Sequence, residues 1–536
     1  MKKRKIRVLA ALVLALAFSA CKKENVGDEE IPVDHTEPFL EETARSISVF
    51  YPEENSGIID DYSDNETIKK VEEKYGVSFS FYHGTWGEEE KAVEKMFSSG
   101  GYCDLMYMSH GLSYKGGDEA AVNAGVYRDL TDMVETNMPN YYALIQSDER
   151  LLRAAYNDDG KIVGLLIIPY DVQNQMVDDQ SAMGGMIVRK DWLDEAGLDL
   201  PVTYEDWEKM LTVFRDHYGC KQPLYIAGGG YSEFSPGFSA GFGAIPAMQM
   251  NGEFVEFGPA APGWKDYVTL MHKWYENGLI GSEYVVNDSY GIDEQSCITG
   301  ETGAMLCVYH KVAGIESSIP GTADFCAVQY PVQKEGQVSQ AKDRTNVPGE
   351  RKIYVTTAVS DDELPFILAL LDDFYDPETA MKLTYGCEGD TYTYDTYGKL
   401  EFSDKLLNHP VGYTFLEAAE LYLLPSNLMA LKDVKREMLV MSEEDRQMCE
   451  IWNKDGEALY VPPVTLTPKE QELYDRIMLD IKPYVKKMTN EMIVGAVDIE
   501  SEWDNYIKTL YDMELEKAVK CYQDAYNRYK HRGNSE

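Results

Sequence analysis

The feature that most restricts the fold is an alternation close to the start of the chain. ISVFY (47–51) is an apolar run of strand length, and Ile68, Val71 and Tyr75 then recur at helical spacing up to Gly76, a helix stop. VSFSFYHG (77–84) is the next strand, Glu88–Ser98 the next helix with Ala92, Val93, Met96 and Phe97 inward, and CDLMYM (103–108) the third strand. This order predicts an α/β fold on a parallel sheet, because parallel neighbours need a crossover connection, usually a helix. Crossovers cover both faces of such a sheet, which explains strands that are almost continuously apolar.

A second α/β series begins after KIVGLLIIPY (161–170). MGGMIVRK (183–190) reads as a strand and DWLDEAG (191–197) as a short helix. Thr203 then caps a helix with Trp207, Met210, Leu211 and Phe214 on one face. Trp264–Asn277 is another, closed by Gly278 with Leu279 as the apolar contact beyond it. From Thr467 to Lys530 the pattern is almost wholly helical, and nothing repeats at a solenoid period. With 536 residues the chain is long enough for two or more domains.

The N-terminus is built differently. Lys2, Lys3, Arg4, Lys5 and Arg7 precede an unbroken apolar run from Val8 to Phe18, which as a helix rises only about 16 Å against a bilayer core of about 30 Å. It reads as a secretory signal peptide rather than a membrane span. Ser19, Ala20 and Cys21 follow, an order that resembles a bacterial lipobox, although Phe18 stands where Leu is usual. Residues 1–20 are then the lipoprotein signal peptide and Cys21 the lipidated, palmitate-bearing first residue of the mature chain. Residues 21–45, polar and acidic, form a flexible tether. The expected location is the extracytoplasmic face of the cell membrane.

Charge narrows the partners. Fifty Lys and Arg face 92 Asp and Glu, a net charge of −42, and the five basic residues lost with the leader take it to −47. Such a balance argues against nucleic acid or an anionic membrane surface as main partner. Besides Cys21 there are eight cysteines, none in a C-x-x-C, so a thiolate zinc site is not expected and most should be buried free thiols.

Chemical motifs are weak. Gly237-Phe238-Ser239-Ala240-Gly241 matches G-x-S-x-G, but a nucleophile elbow needs a strand before the Ser, and Pro236 stands there. Asp61, Ser63, Asn65 and Glu72 loosely mimic a calcium loop without its sixth-place Gly; Asp64 or Asn65 capping the next helix is the preferred reading. No metal or cofactor is implied, and no catalytic residue is assigned.

Aromatic residues at strand ends are more informative. Phe50 and Tyr51 end the first strand, Tyr82 and Trp86 the second, Tyr107 and His110 the third, and ligands of open α/β sheets bind outside the carboxyl ends of strands. GGGYSEFSPGF adds Tyr231, Phe234 and Phe238 on a Gly-rich loop. Trp192, Trp207 and Trp274 are assigned to core. Trp86 and Tyr231 are candidates for a cleft, with core packing the alternative for each.

Longer runs carry a resemblance. YNDDGKIVGLLIIPY (156–170) with MIVRKDWLDEAGLDLPVTYEDWEKMLTVF (186–214) resembles the first interlobe crossover of the extracellular solute-binding proteins that serve ABC importers. AGVYRDLTDMVETNMPNYYALI (124–145), LTYGCEGDTYTYDTYGKLEFSD (383–404) and DIESEWDNYIKTLYDMELEKAVKCYQDAYNRY (498–529) are similar to the large, lipoprotein-type sugar-binding subgroup of family 1 of these proteins. The resemblance implies a two-lobed periplasmic-binding-protein type II fold with a hinge and an interlobe cleft. Residues 46–168 and 327–385 would form lobe 1, residues 169–326 and 386–536 lobe 2, with crossings near Pro169–Gln175 and Val328–Val332.

It also implies a ligand and its contacts. The expected ligand is an oligosaccharide, delivered to ABC permease subunits by a lipid-anchored monomer that is not an enzyme; a mature charge of −47, which repels an anionic glycan, adds that the sugar is neutral. The contact regions would be the strand ends near Tyr51, Trp86 and Tyr107, the loop of Tyr231 and Phe234, the start of the Trp264 helix, AMLCVYH with Tyr309, and YGCEG with Tyr385 and Glu388. Where some subgroup members carry a calcium loop, FRDHYGCKQPLY follows directly, so no calcium is inferred. The alternatives are a lipid-anchored glycoside hydrolase, a helical sugar-binding lipoprotein of outer-membrane uptake systems, and a binding protein for a non-sugar solute such as a peptide.

Overall fold

The chain enters on β1 (Arg45–Phe50), passes through the Glu66–Tyr75 helix to β2 (Val77–Tyr82), then through the Glu89–Ser99 helix to β3 (Leu105–Met108). In this computed structural model the described residues are 45–53, 56–84, 87–109, 112–178, 182–226, 236–287, 292–342 and 347–533. The leader, Cys21 and all of the tether but its last residue lie outside them, as do Trp86, His110, Tyr231 and Phe234.

β1 pairs in parallel with β2 on one side and β3 on the other, as the alternation predicts. Asn65 caps the first helix, its Oδ1 accepting from the Thr67 and Ile68 amides at 2.9 and 3.0 Å, and Gly76 ends that helix at φ 64°. β4 (Gly164–Leu166) completes the early strands; β5 (Ile168–Asp171) and β6 (Met176–Val177) carry the chain onward to β7 (Gly184–Arg189). The hairpin β8 (Met248–Asn251)–β9 (Phe254–Phe257) and strands β10 (Ala304–Val308) and β11 (Phe325–Val328) follow. β10 and β11 flank β7, both antiparallel to it.

β12 (Lys352–Val355) then returns to the first sheet and inserts antiparallel between β3 and β4, giving the order β2-β1-β3-β12-β4. The sheet is therefore mixed, not purely parallel. Late in the chain come the hairpin β13 (Tyr392–Tyr394)–β14 (Leu400–Phe402) and β15 (Leu431–Lys432), which pairs in parallel with β5.

Alternation along these strands builds two sets of cores. Ile47, Val49, Leu105, Tyr107, Ile353 and Val355 share one face of the first sheet with Ile68 and Val71, while Phe50, Met106, Met108 and Tyr354 share the other with Val93, Ala121 and Tyr127. Around the second sheet, Met186, Val188 and Val328 pack with Trp207, Trp264 and Trp274, and Ile187, Met305 and Ala327 with Cys449 and Trp452. Trp207 and Trp274 are fully buried and Trp192 nearly so, in keeping with their assignment to core.

Two long C-terminal helices, Pro468–Ile493 and Leu515–Tyr529, join the second core through Ile477, Ile481, Val485 and Ala518. The first carries a capping box between Thr467 and Glu470. Among the described residues no helix is long and apolar enough to cross a membrane.

Residues 386–431, which the sequence reading groups with the second lobe, pack on the first core through Tyr392, Leu400, Phe402, Leu406 and Leu431. The Tyr392 and Phe402 rings close around Tyr385 at 6.3 and 5.8 Å, which ties the hairpin to that side. All eight described cysteines are free thiols; six are buried, Cys326 is half-buried and Cys387 is exposed. The G-x-S-x-G segment places Ser239 inside a short helix, Pro236–Ala240, rather than at a strand-to-helix turn. Its glycines serve packing, since a Cβ on Gly237 would meet the Tyr330 ring at 2.2 Å and one on Gly241 the Pro331 carbonyl at 2.4 Å.

Candidate ligand cleft

In the first sheet the chain moves from β1 outward to β2 and then back across β1 to β3, so the strand order reverses beside β1. Reversal leaves a crevice at the carboxyl ends of the strands, where open α/β sheets hold ligands. Tyr51–Glu53, His83 and Ser109 lie just beyond those ends. β12 runs the opposite way, so its first residue, Lys352, and Arg351 just before it reach the same edge.

Period-two alternation splits that edge into two polar sites. On the side of Ile353, Glu53 accepts from Tyr51 Oη at 2.8 Å, from Asn427 Nδ2 at 2.5 Å and from Arg351 at 3.3 Å. Lys432 Nζ donates to Asn427 Oδ1 at 2.8 Å. Burial, then the positive Arg351 nearby, push the Lys432 ammonium down to about 8. Beside it, Lys435 pairs with the fully buried Asp171, and its amide donates to Asp433 at 2.8 Å. Tyr385 Oη donates to Asp433 at 3.1 Å and accepts from Gln173 Nε2 at 3.2 Å. These contacts join β5 and β15, where the chain leaves the first sheet.

On the side of Tyr354 lies a cavity of about 1180 Å³. Its floor is Met108, Ser109, Lys352 and Tyr354; its walls are Phe97, Tyr114 and Lys115 from the first half and Val461–Leu466, Tyr522 and Arg532 from the C-terminal part. The Tyr354 ring is stacked on Tyr127 at 4.2 Å and its Oη donates to Asp118 at 2.9 Å, while Lys352 lies 3.5 Å from the same carboxylate. Phe97 and Tyr114 meet edge to face at 5.0 Å. Five acidic side chains (Glu90, Glu94, Asp118, Glu350, Asp475) and three basic ones (Lys115, Lys352, Arg532) surround the space. Such a site offers aromatic faces and hydrogen-bonding groups of both signs with an excess of negative charge.

The aromatic residues singled out from the sequence are placed differently from that reading. Tyr51 and Tyr107 are core residues, their rings edge to face at 6.3 Å, and Tyr51 also packs on Tyr62. Trp264 is 1% exposed between the second sheet and the C-terminal helices. Tyr385 is wholly buried, and Glu388 is exposed in the turn that follows it. Tyr309 is half-buried against the core around Trp452, and burial pushes its hydroxyl up to about 12. None of these six lines the cavity. Of the rings that do, Phe97 is read from the sequence as an inward residue of its helix, and Tyr114, Tyr354 and Tyr522 are not among the candidates. Tyr114 carried a usable signal, since it follows β3 by six residues on the stretch leaving the carboxyl edge.

No family model matches the chain. It is 24% identical over 292 residues to Lipoprotein LipO of Bacillus subtilis (strain 168), a match covering 51% of this chain and 53%, about half, of that relative's length. It is 22% identical over 423 residues to the Fructooligosaccharide ABC transporter substrate-binding protein FusA of Streptococcus pneumoniae serotype 4 (strain ATCC BAA-334 / TIGR4), covering 76% of each. The structure of FusA in complex with kestose superposes with a TM-score of 0.63 over 91% of this chain and 99% of that one, at 19% identity. An extracellular solute-binding protein from Bifidobacterium longum subsp. infantis gives 0.69 over 91% and 98%, at 16% identity.

Proposed function

We propose that this chain, which has the two-lobed fold of the extracellular solute-binding proteins, captures a neutral oligosaccharide in the cavity at the carboxyl edge of its first sheet and hands it to an ABC importer. The observation that carries this reading is the cavity itself. It holds aromatic rings beside donors and acceptors, the combination that suits the apolar face and hydroxyl rim of a sugar ring, and acids outnumber bases around it. A polyuronate would meet that excess; a neutral glycan would not. FusA, a fructooligosaccharide substrate-binding protein, has the same fold and is related in sequence, which supports a carrier rather than an enzyme.

Calorimetry against a panel of neutral and uronate oligosaccharides tests the assignment. Stacking one ring covers about 60–100 Å² of apolar surface, or roughly 1.5–2.5 kcal/mol at about 25 cal/mol per Å², so Tyr114→Ala should weaken binding of the identified sugar roughly 10- to 70-fold. Tighter binding of a uronate oligomer than of any neutral sugar, or full affinity in the variant, refutes the site as drawn. Appearance of shortened sugars in the same mixtures would instead favour the hydrolase.

The lipid anchor belongs to the same proposal. Lys2–Arg7, the apolar run to Phe18 and Ser19-Ala20-Cys21 occur in the order that directs acylation of Cys21, and LipO, a lipoprotein, is a sequence relative. Cys21→Ala should move the protein from the membrane fraction to the soluble one. A variant that is processed and still sediments with membranes would show that something else holds it there.

A further inference from the structure

One ionic cluster joins the two halves at the rim of the proposed ligand cavity, whose wall it shares through Arg532. Asp158 sits in the turn before β4, a turn stiffened by Asn157, whose Oδ1 accepts from the Asp159 and Lys161 amides at 3.0 and 2.8 Å. Both oxygens of its carboxylate are taken by the last helix and the turn that follows it: Arg528 Nε donates to Oδ2 and Arg532 Nε to Oδ1, each at 2.6 Å. The rest of the Arg528 fork grips Glu470 at the start of the Pro468–Ile493 helix, at 2.8 and 2.6 Å, and donates to the Thr465 carbonyl at 3.0 Å. Arg532 also donates to the Pro463 carbonyl at 3.2 Å.

Each end of this cluster is fixed in a different core. Leu151, Ala154 and Ala155, just before the Asp158 turn, belong to the first; Leu515 and Ala518, on the arginine helix, belong to the second. The side chains are mostly out of solvent, Arg532 3% exposed and Asp158 14%. Although burial works against the charge on Glu470, the Arg528 fork and the Thr467 cap hold its carboxyl below the usual range. The position matters as much as the strength. Gly349, on the segment that brings the chain back to β12, is so close to both Ala154 and Pro463 that a Cβ there would lie 3.2 and 3.6 Å from them.

We propose that Asp158, Arg528, Arg532 and Glu470 form the pivot about which the two halves rotate, a proposal that rests on the carrier reading only in assuming that the halves move. A latch that opened each time ligand entered would strand the largely buried Asp158 carboxylate and take from Arg532, 3% exposed, its carboxylate partner, which is the costly way to break a buried ion pair. A pivot keeps every contact, and this cluster lies beside a crossing segment, where rotation displaces atoms least. The C-terminal helix then sets the axis of opening, and the cavity widens away from it.

The test needs no ligand. Nitroxide labels carried on unnatural amino acids at exposed Lys95 and Lys486, one on each half, leave the native cysteines in place, and pulsed electron resonance reads the distance distribution between them. Asp158→Asn removes the central charge, and Arg528→Lys keeps charge but loses the planar fork; each should broaden the distribution about twofold. Both variants should keep the far-ultraviolet spectrum of the wild type. Two widths unchanged from wild type would overturn the pivot, and so would one narrow peak moved to a longer distance, the mark of a latch. If Asp158→Asn fails to fold, Arg528→Lys alone decides between these outcomes.

Discussion

Asp433 shows how much one buried side chain sets the behaviour of the region between the halves. It is 1% exposed, and burial pushes its carboxyl up to about 6 from an unperturbed 3.8, against hydrogen bonds from the Val172 and Lys435 amides that work the other way. The folded form therefore holds the proton more tightly than the unfolded one, so this group's contribution to stability falls as pH rises from about 4 to about 6. A shift of about two units corresponds to roughly 3 kcal/mol. Asp433→Asn should be the less stable protein near pH 4 and should gain on the wild type by up to about 3 kcal/mol by pH 7. Urea unfolding at several pH values measures that difference; Asp455, whose carboxyl burial also pushes up to about 6, is common to both proteins and cancels. Parallel curves for the two proteins would show that Asp433 is not the titrating group. Sequence reasoning could not find this residue, because an Asp after a two-residue strand reads as a turn former until its burial is known. The same limit applies to the strand-end tyrosines: position along a strand fixes which face a ring leaves from, and the surrounding helices decide whether that face is covered.

Elements were more legible than side chains, because their ends are written locally. Asn65, Thr203 and Thr467 cap helices, and Gly76 and Gly278 close them in the left-handed region at φ 64°. What local patterns lack is the partner across an interface. Gly185 reads as an interruption in a strand, yet a Cβ there would lie 2.3 Å from the Trp452 indole, whose Nε1 is fixed by a 3.0 Å hydrogen bond to the Met186 carbonyl. The ring cannot swing aside without losing that bond. Gly185→Ala should therefore destabilise the fold by about 2–4 kcal/mol, through overpacking and displacement of a buried indole. A thermal melt reads this directly, and a midpoint equal to that of the wild type would mean that the helix bearing Trp452 slides freely over the sheet.

At the scale of the whole molecule, the parallel run of β1, β2 and β3 was readable because each partner is the next strand along, and the insertion of β12 was not, because its partners precede it by about 190 to 250 residues. That lateness also has a consequence in time. β3 and β4 have no strand between them until Val355 has left the ribosome, roughly 10–40 s after Leu166 at 5–20 residues per second. During that interval the first half is a set of unclosed edges. On the proposed lipoprotein reading such a delay favours export, because a polypeptide is threaded through a membrane before it folds and this topology withholds the closing strand until late in synthesis.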